Sequence, residues 1–249
     1  MPCLTVGLLL LNPAKWDIMD MVTMWLFCIS YEGGIYMETR AIKIFSPMNK
    51  KIALKVIPGH FATSNSHINL YIDLTTMKTR LSEAAEAAKT MAKQYMVSTL
   101  VDTIVCLDGC EVIGAYLAQE LTLSGIMSMN AHQTIYIVTP EFNTNGQMIF
   151  QENFLPMIYG KNIVLLAGST TTGDTLKRSI ECIKYYGGIM QGISSIFSAV
   201  DTVDGTKIHS IFQTKDLPNY ESYSVEECPL CKTMHKLDAI VNGNGYIKL

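Results

Sequence analysis

From about residue 80 onward, short apolar or β-branched runs alternate with segments that repeat apolar residues at helical spacing. The runs lie at 103–107, 134–138, 162–166 and 192–200, and the helical segments lie at 80–96, 111–121 and 174–186. Strands separated by helices of about ten to fifteen residues are typical of βαβ units, in which right-handed crossovers join parallel strands. We therefore predict an α/β fold with a central, mostly parallel sheet and helices on both of its faces.

The helical segments also predict which side chains are buried. In the first segment, one face carries Leu81, Ala85, Ala88, Ala92 and Tyr95. In the last segment, the inward face carries Leu176, Ile180 and Ile183. A glycine pair follows that segment, and because glycine commonly ends helices, we expect the last helix to stop near residue 186.

Composition excludes several classes of protein. The 249 residues are 49% hydrophobic and 16% charged, whereas disordered chains have low hydrophobicity and high net charge. The formal net charge is −3 and no Lys/Arg run forms a basic patch, so we expect no nucleic-acid partner. A membrane span needs about 18 apolar residues in a row, and polar or charged residues interrupt the longest candidate, so we expect no membrane partner. Seven cysteines at irregular spacing indicate reduced thiols and a cytoplasmic protein.

Residues 1–36 differ from the rest of the chain. They contain both tryptophans and two apolar clusters without a clean helical period. A signal peptide requires a basic segment and a small-residue cleavage site, and neither stands before Leu8. Met37 opens a Met-Glu-Thr-Arg sequence that resembles an ordinary start. We therefore hypothesise that 1–36 are an over-long start assignment or a poorly packed extension.

The segment 160–176 carries the strongest indication of chemistry. An apolar strand runs into a loop of small hydroxyl residues, and a helix follows. Unpaired N–H groups and the helix dipole at such a junction favour an anion, and hydroxyl side chains add donors. The segment predicts phosphate binding by Thr170, Thr171, Thr172, Gly173, Asp174 and Thr175. The alternative is a plain helix N-terminus capped by the side chain of Thr172 or Asp174.

This junction resembles the signature of the type I phosphoribosyltransferases, in which apolar residues precede an acidic pair, a short spacer, then Thr-Gly and Thr. The last part stands here as Thr172-Gly173-Asp174-Thr175. The segment 101–115 is similar to the family's first core strand, pyrophosphate loop and following helix. The resemblance implies that 170–175 bind the 5′-phosphate of phosphoribosyl pyrophosphate. It also implies that the pyrophosphate group meets Leu107, Asp108, Gly109 and Cys110.

Further segments resemble the orotate phosphoribosyltransferase branch. Gly-His-Phe-Ala-Thr at 59–63 and Leu-Tyr-Ile-Asp at 70–73 are similar to its base-binding hood, and Cys-Pro-Leu-Cys at 228–231 is similar to the C-terminus of some members. The resemblance implies a base-side wall of His60, Phe61 and Tyr71. His67 is a further candidate contact to base or phosphate, and the alternative for His60 and His67 is that both are exposed loop histidines.

The resemblance also implies how the chain is divided and what accompanies it. The divisions are an extension (1–36), an N-terminal hood segment (37–78), a phosphoribosyltransferase-like core (79–215) and a C-terminal tail (216–249). Mg²⁺ is the implied cofactor, phosphoribosyl pyrophosphate or a nucleotide is the implied ligand, and a homodimer is the implied assembly.

The chain departs from the family pattern in three places. Ala167 and Gly168 replace the acidic pair that holds the ribose hydroxyls, so two charge-assisted hydrogen bonds of about 1.5–3 kcal/mol each are missing. The loop 139–156, which matches the family's mobile loop, has no Lys or Arg to neutralise pyrophosphate. Thr202 stands where the orotate branch has an Arg that binds the orotate carboxylate. Lys78, Arg80 and Lys161 are the cations that could neutralise pyrophosphate in place of the missing loop residues.

Two functions therefore stay open. One is the transfer of ribose 5-phosphate from phosphoribosyl pyrophosphate to a pyrimidine-type base such as orotate, with Mg²⁺ near Asp108 or Glu111. The other is a catalytically impaired regulator or sensor that binds a nucleotide or phosphoribosyl pyrophosphate. The frequency of enzymes with this fold favours the first, although fold alone does not determine function.

A separate pattern lies near the C-terminus. Cys228, Cys231 and His235 have a spacing that zinc sites use, but structural zinc usually takes four ligands and only these three are local. The pattern predicts either a structural zinc site or reduced surface thiols.

Overall fold

The computed structural model describes residues 37–123, 125, 128–131, 133–144 and 146–249. The hypothesis on 1–36 lies outside these residues. The chain divides into two units with a boundary between Ala41 and Ile42, and the elements given below belong to the compact unit Ile42–Leu249. Within the described ranges, no helix combines the length and the apolar character that crossing a membrane requires.

The strands are β1 (Ile42–Phe45), β2 (Ala53–Ala62), β3 (His67–Asp73), β4 (Thr103–Cys106), β5 (Tyr136–Val138), β6 (Glu141–Phe142), β7 (Met148–Ile149), β8 (Asn162–Thr170), β9 (Ile189–Ser198), β10 (Thr202–Val203), β11 (Thr206–Gln213), β12 (Ser222–Tyr223), β13 (Ala239–Asn242) and β14 (Gly245–Lys248). The helices are α1 (Thr75–Thr79), α2 (Leu81–Ala92), α3 (Glu111–Leu123), α4 (Asp174–Tyr185) and α5 (Pro229–Lys232). Short 3₁₀ helices cover Glu152–Met157 and Thr214–Asp216.

The core sheet has the strand order β10-β11-β9-β8-β4-β5, and its neighbours pair in parallel except β10 with β11. Side chains alternate across each strand, so Leu165 and its partner Val105 face one way and Cys106 faces the other. Leu165 belongs to an apolar cluster that includes Ile180 of α4. On the other face, a Cβ at Gly114 of α3 would lie 2.5 Å from Sγ of Cys106. Helices therefore cover both faces, which confirms the predicted α/β class.

The buried faces of the helices agree with the sequence in α4 and agree in part in α2, where Ala88 and Ala92 are buried as predicted and Ala85 is half-buried. In α4, Leu176, Ile180 and Ile183 are buried as predicted, and Gly187 follows with a φ of 78°. In α2, the predicted inward residue Leu81 is 66% exposed. The buried side of α2 consists mainly of small residues: Ala84, Ala87, Ala88, Thr90, Met91 and Ala92. Leu81 is the first residue of this helix, and the buried residues begin one turn later, at Ala84.

A second sheet, the hood sheet, has the order β12-β3-β2-β13-β14, and β1 also pairs with β2. Its pairs are antiparallel except β2 with β13. The strands β1–β3 come from the predicted hood segment, whereas β12–β14 come from the predicted tail. Strands from the beginning and the end of the segment 42–249 therefore pair in one sheet, and the C-terminal hairpin β13–β14 forms one of its edges.

Candidate functional site

A cleft with a volume of about 170 Å³ lies at the carboxyl ends of β4 and β8, the edge of a parallel sheet where ligands commonly bind. The core contributes Leu107 and Asp108 after β4, together with the end of β8 and the start of α4. The hood sheet contributes its β2–β3 loop and Tyr71, and the β13–β14 hairpin contributes Asn242 and Gly243. The cleft is thus formed jointly by the core sheet and the hood sheet.

The phosphate-binding loop predicted at 170–175 lines this cleft. Its lining residues are Thr170, Thr171, Thr172, Gly173 and Thr175. Gly173 is the N-cap of α4 with a left-handed φ of 87°, and a Cβ there would lie 2.7 Å from Cγ2 of Val203. Only glycine combines this backbone conformation with the space available. The N–H groups of the first helical turn have no earlier carbonyl within the helix, so they can donate to an anion.

The alternative of a side-chain cap is met only in part. The N-cap is Gly173, which has no side chain. Oγ1 of Thr172 accepts from the N–H of Asp174 at 3.5 Å and donates to Oδ2 of Asp174 at 2.8 Å. Asp174 is exposed and does not line the cleft, so its side chain orients a threonine instead of contacting a bound anion.

Of the four residues predicted to meet pyrophosphate, Leu107 and Asp108 line the cleft, whereas Gly109 and Cys110 do not. The backbone turns sharply here because Asp108 and Gly109 have positive φ values of 56° and 74°. Cys110 is fully buried, and its N–H donates to the carbonyl of Leu107 at 3.1 Å, so its amide belongs to the turn and not to the cleft. Burial raises the pKa of the Cys110 thiol to about 12.

The carboxylate of Asp108 occupies the space beside the missing acidic pair. The N–H of Gly168 donates to its Oδ2 at 3.2 Å, and a Cβ at Gly168 would lie 3.3 Å from the Cβ of Asp108. On the other side, a Cβ at Gly243 would lie 2.7 Å from Cγ of Asp108. Burial raises the pKa of Asp108, against the lowering effects of the Gly168 N–H and of Lys78. Two glycines therefore make room for a carboxylate that another loop supplies.

Of the three cations considered for pyrophosphate, Lys78 approaches the cleft. Its side chain is buried, and its Nζ donates to the carbonyls of Asp108 at 2.7 Å and of Gly243 at 2.5 Å. Arg80 is exposed and forms a surface ion pair. Lys161 precedes β8, so it lies at the end of that strand opposite to the cleft. Lys78 thus brings positive charge to the loop predicted to meet pyrophosphate.

Of the predicted base-side residues, Tyr71 lines the cleft. Phe61 is fully buried and packs against Tyr71 with ring centroids 5.8 Å apart, so it supports the wall from behind. His60 is buried in a separate cluster with His67, and neither ring lines the cleft. The structure therefore places His60 and Phe61 away from the cleft surface, and His60 and His67 are buried, not exposed loop residues.

Tyr220 and Phe197 line the cleft although the sequence pattern did not predict them. Their rings pack edge to face with centroids 5.2 Å apart. Tyr220 is 8% exposed, and its hydroxyl has no hydrogen-bond partner among the described residues. Burial raises the pKa of Tyr220 to about 12, so the hydroxyl keeps its proton. A buried hydroxyl without a partner is unfavourable, so a bound ligand that accepts from it would be stabilised.

The predicted zinc ligands Cys228 and Cys231 lie together, but the ring of His235 does not join them. The two thiols instead meet His60 and His67, and the four ligand atoms lie within 4.8 Å of one another. His235 contributes its backbone carbonyl, which accepts from Nδ1 of His60 at 2.9 Å. Burial and the neighbouring His60 lower the pKa of His67. The spacing near the C-terminus could not reveal these histidines, because Cys228 and His60 are 168 positions apart.

Comparison with known proteins adds two curated relatives, while no family model matches the chain. The orotate phosphoribosyltransferase of Sulfurimonas denitrificans is 23% identical over 192 residues, which cover 72% of this chain and 88% of the relative. The orotate phosphoribosyltransferase of Chlorobium phaeobacteroides is 24% identical over 188 residues, which cover 74% of this chain and 88% of the relative.

Solved structures to which this chain is similar include two phosphoribosyltransferases. The orotate phosphoribosyltransferase from Aeropyrum pernix has a TM-score of 0.45 and 17% identity, over 64% of this chain and 88% of its own. A phosphoribosyltransferase from Corynebacterium diphtheriae has a TM-score of 0.46 and 14% identity, over 75% of this chain and 96% of its own.

Proposed function

We propose that this chain, a relative of the type I phosphoribosyltransferases on the side of their orotate branch, is itself a phosphoribosyltransferase. It transfers ribose 5-phosphate from phosphoribosyl pyrophosphate to a pyrimidine-type base, so that a C–N bond forms at the anomeric carbon while the bond to pyrophosphate breaks. Orotate is the proposed acceptor because both curated relatives carry that name. The observation that carries the proposal is a single cleft in which a helix N-terminus meets the half-buried carboxylate of Asp108, in a loop whose carbonyl accepts from Lys78.

The 5′-phosphate binds at the loop before α4. The first-turn N–H groups provide donors, and the helix dipole favours the anion. The hydroxyl of Thr172 donates its hydrogen bond to Asp174. The loop hydroxyls that can donate into the cleft are therefore those of Thr170, Thr171 and Thr175. The same bond holds the one carboxylate of this loop away from the phosphate.

The ribose hydroxyls bind beside Asp108, in place of the acidic pair. An ionised carboxylate has about four acceptor positions, and the N–H of Gly168 uses one of them. The Asp108 carboxylate also fits Mg²⁺, which proteins hold through one or two carboxylates together with substrate phosphates. When bound, this ion neutralises charge on the pyrophosphate. Glu111, the other carboxylate considered, does not line the cleft, and it accepts from Oγ1 of Thr139 at 3.0 Å.

Lys78 places positive charge next to the departing pyrophosphate. Its ammonium group has three N–H donors, and the carbonyls of Asp108 and Gly243 accept from it. Negative charge accumulates on pyrophosphate as its bond to the anomeric carbon breaks. A cation held in place before the reaction therefore lowers the barrier without reorganising.

We expect Lys78→Met to lower kcat about tenfold to 100-fold, with a smaller change in KM, because methionine keeps an apolar stem but removes the charge. Arg80→Met is the matched control, since Arg80 is exposed in its ion pair with Glu83. Steady-state release of pyrophosphate measures both variants, and thermal unfolding checks that both are folded. An equal effect of the two substitutions, or an unchanged kcat in Lys78→Met, would contradict this role.

The base lies against the aromatic wall of the cleft. Tyr71 and Phe197 provide apolar faces, and Tyr220 provides a buried hydroxyl donor. A planar pyrimidine with ring carbonyl oxygens suits an apolar wall with one oriented donor. Thr202 is exposed in β10 and cannot pair with a carboxylate as an arginine does, so the acceptors to be tested include pyrimidines without a carboxylate.

Tyr220→Phe is expected to raise KM for the base about threefold to tenfold, the effect of one lost neutral hydrogen bond. The same substitution removes a buried hydroxyl without a partner, so the folded protein should be at least as stable as the parent. Tyr159→Phe serves as the control because Tyr159 is 74% exposed. Initial rates at varied base concentration provide the measurement, and an unchanged KM in Tyr220→Phe would place the base elsewhere.

The proposed function is tested with purified full-length protein, Mg²⁺, phosphoribosyl pyrophosphate and a panel of bases that includes orotate, uracil and adenine. Pyrophosphate release and the mass of the nucleotide product are followed. Turnover with a pyrimidine supports the proposal. Binding of phosphoribosyl pyrophosphate in a calorimeter without turnover of any base would overturn it in favour of a regulator or sensor. The homodimer stays a prediction, which light scattering of the same preparation measures.

A further inference from the structure

Four side chains from three separate elements converge at one point in the hood sheet. His60 lies in β2, His67 begins β3, and Cys228 and Cys231 lie at the start of α5 and within it. Nε2 of His60 is 3.1 Å from Nδ1 of His67, 3.5 Å from Sγ of Cys228 and 3.6 Å from Sγ of Cys231. Nδ1 of His67 is 3.2 Å from Sγ of Cys231. Neither the phosphate loop nor the base wall uses any of these groups.

The orientation of His60 is determined by its other ring nitrogen. Nδ1 lies 2.9 Å from the carbonyl of His235, and because a carbonyl can only accept, Nδ1 carries the proton. In the neutral ring, Nε2 is then the unprotonated nitrogen, and it faces the two thiols. Metal-binding histidines typically donate their second ring N–H to a backbone carbonyl or a carboxylate in this way.

Hydrogen bonding among the four groups does not account for their convergence. The neutral His60 ring has one lone pair, on Nε2, yet three groups lie within 3.6 Å of that atom. One lone pair accepts well from only one of these groups, whereas a cation between the four ligand atoms contacts all of them. His60 and Cys228 are 1% and 0% exposed, so water does not replace the missing partners readily.

We propose that His60, His67, Cys228 and Cys231 bind one Zn²⁺ ion. Two thiolates and two imidazoles form a set that zinc occupies in structural sites, and the two thiolates balance its charge. Sulfur and nitrogen donors also disfavour Mg²⁺ and Ca²⁺, which bind through oxygen. With four protein ligands no position is left for substrate, so the ion is structural.

The site joins segments that shape the cleft. His67 follows the β2–β3 loop, whose residues 63–65 line the cleft. The two cysteines precede the β13–β14 hairpin, which contributes Asn242 and Gly243. A further link lies close by, since the N–H of His60 donates to Oδ2 of Asp238 at 2.9 Å. Zinc at this point would therefore hold the tail of the chain against the hood strands and keep both walls of the cleft in place.

Elemental analysis of the full chain, purified without a metal-binding tag from zinc-sufficient medium, tests the proposal. We expect about one zinc per chain in the parent and less than about 0.2 in Cys231→Ser and in His67→Gln, because each removes one of four ligands. His235→Ala is the matched control: it keeps the backbone carbonyl and should retain the zinc. Parent protein without zinc, or His67→Gln with full zinc, would overturn the proposal. Loss of zinc in His235→Ala would overturn the ligand set.

Two measurements on the parent keep the test independent of variant folding. Removing the metal with a chelator, in the absence of Mg²⁺ and substrate, should lower Tm by about 5–10 °C, because a structural metal contributes its binding free energy to folding. Intact mass under non-reducing conditions separates zinc from a disulfide between Cys228 and Cys231. A mass lower by two hydrogen atoms, with no zinc bound, would show an oxidised pair and contradict the proposal. Turnover is not used as a readout, so the result stands whatever base the cleft accepts.

Discussion

Replacing Asp108 with asparagine is expected to lower turnover about 100-fold or more while the protein stays folded. Asparagine has nearly the same shape and tolerates positive φ better than most residues, so the turn at 108, with its φ of 56°, should persist. The substitution removes the negative charge beside Gly168 that the proposed function assigns to ribose hydroxyls and Mg²⁺. Loss of one preorganised electrostatic partner typically costs about 100- to 1,000-fold in kcat.

Stability as a function of pH shows whether Asp108→Asn acts through chemistry or through folding. Burial raises the pKa of Asp108, so the folded chain favours its protonated form. The ionised carboxylate therefore opposes folding at neutral pH, and this cost disappears as pH falls through the raised pKa toward the ordinary value of about 3.9. Without Mg²⁺ or substrate, Asp108→Asn should unfold at the same or a higher Tm than the parent at neutral pH, with a difference that shrinks on acidification. Normal turnover in this variant would remove Asp108 from the mechanism.

Gly173→Ala is expected to weaken binding of phosphoribosyl pyrophosphate about 100-fold. The new Cβ would lie 2.7 Å from Cγ2 of Val203, in a residue whose φ is 87°, so the loop must move. Such a movement displaces the first-turn N–H groups of α4, and a misplacement of about 1 Å can cost about 100-fold where geometry decides binding. Calorimetric titration with phosphoribosyl pyrophosphate and Mg²⁺ measures the change.

Gly205→Ala separates backbone strain from the geometry of the loop. Gly205 also has a positive φ, 73°, but no atom of the described residues lies within 4 Å of a Cβ placed there. This control should lower Tm by a few degrees through strain and leave the affinity for phosphoribosyl pyrophosphate unchanged. If both variants lose affinity equally, the phosphate does not bind at the start of α4.

Several elements of the core could be predicted from the sequence because each forms from contiguous residues. The run at 162–166 lies within β8, which is buried from 163 to 168, and the spacing of Leu176, Ile180 and Ile183 marked the inward face of α4. Continuous apolar residues indicate a strand buried on both faces, and a helical period indicates burial on one. The phosphate loop was predicted for the same reason, since a strand, a loop and a helix N-terminus follow one another along the chain.

The strand β11 shows where such patterns fail. It lies next to the sheet edge, with β10 as its outer neighbour, and it buries Ile208, Ile211 and Phe212. His209 and Ser210 interrupt the apolar run, so neither a continuous nor an alternating pattern appears in Thr206–Gln213. A strand near the edge needs less apolar surface, and its local sequence is correspondingly weaker evidence for a strand.

The two contacts on which the proposed ribose and zinc sites depend join residues that are far apart in the chain. Asp108 reaches the backbone of Gly168 across 60 positions, and His60 reaches Cys228 across 168. Neither contact leaves a spacing or a period in the sequence. The sequence therefore shows an acidic pair that is absent and a zinc pattern with only three ligands, but not the residues that take their places.

Local order along the chain was therefore enough to specify a parallel α/β core and the strand–loop–helix junction at its edge, because strand burial, helix period and loop glycine each act over a few neighbouring residues. The contact between the Asp108 carboxylate and Gly168 forms only when β4 and β8 pair in the core sheet. The His/Cys cluster forms only when the first and last segments of the hood sheet come together. Their partners are chosen by the three-dimensional packing of the strands, and packing between distant segments depends on the whole fold and not on any one segment.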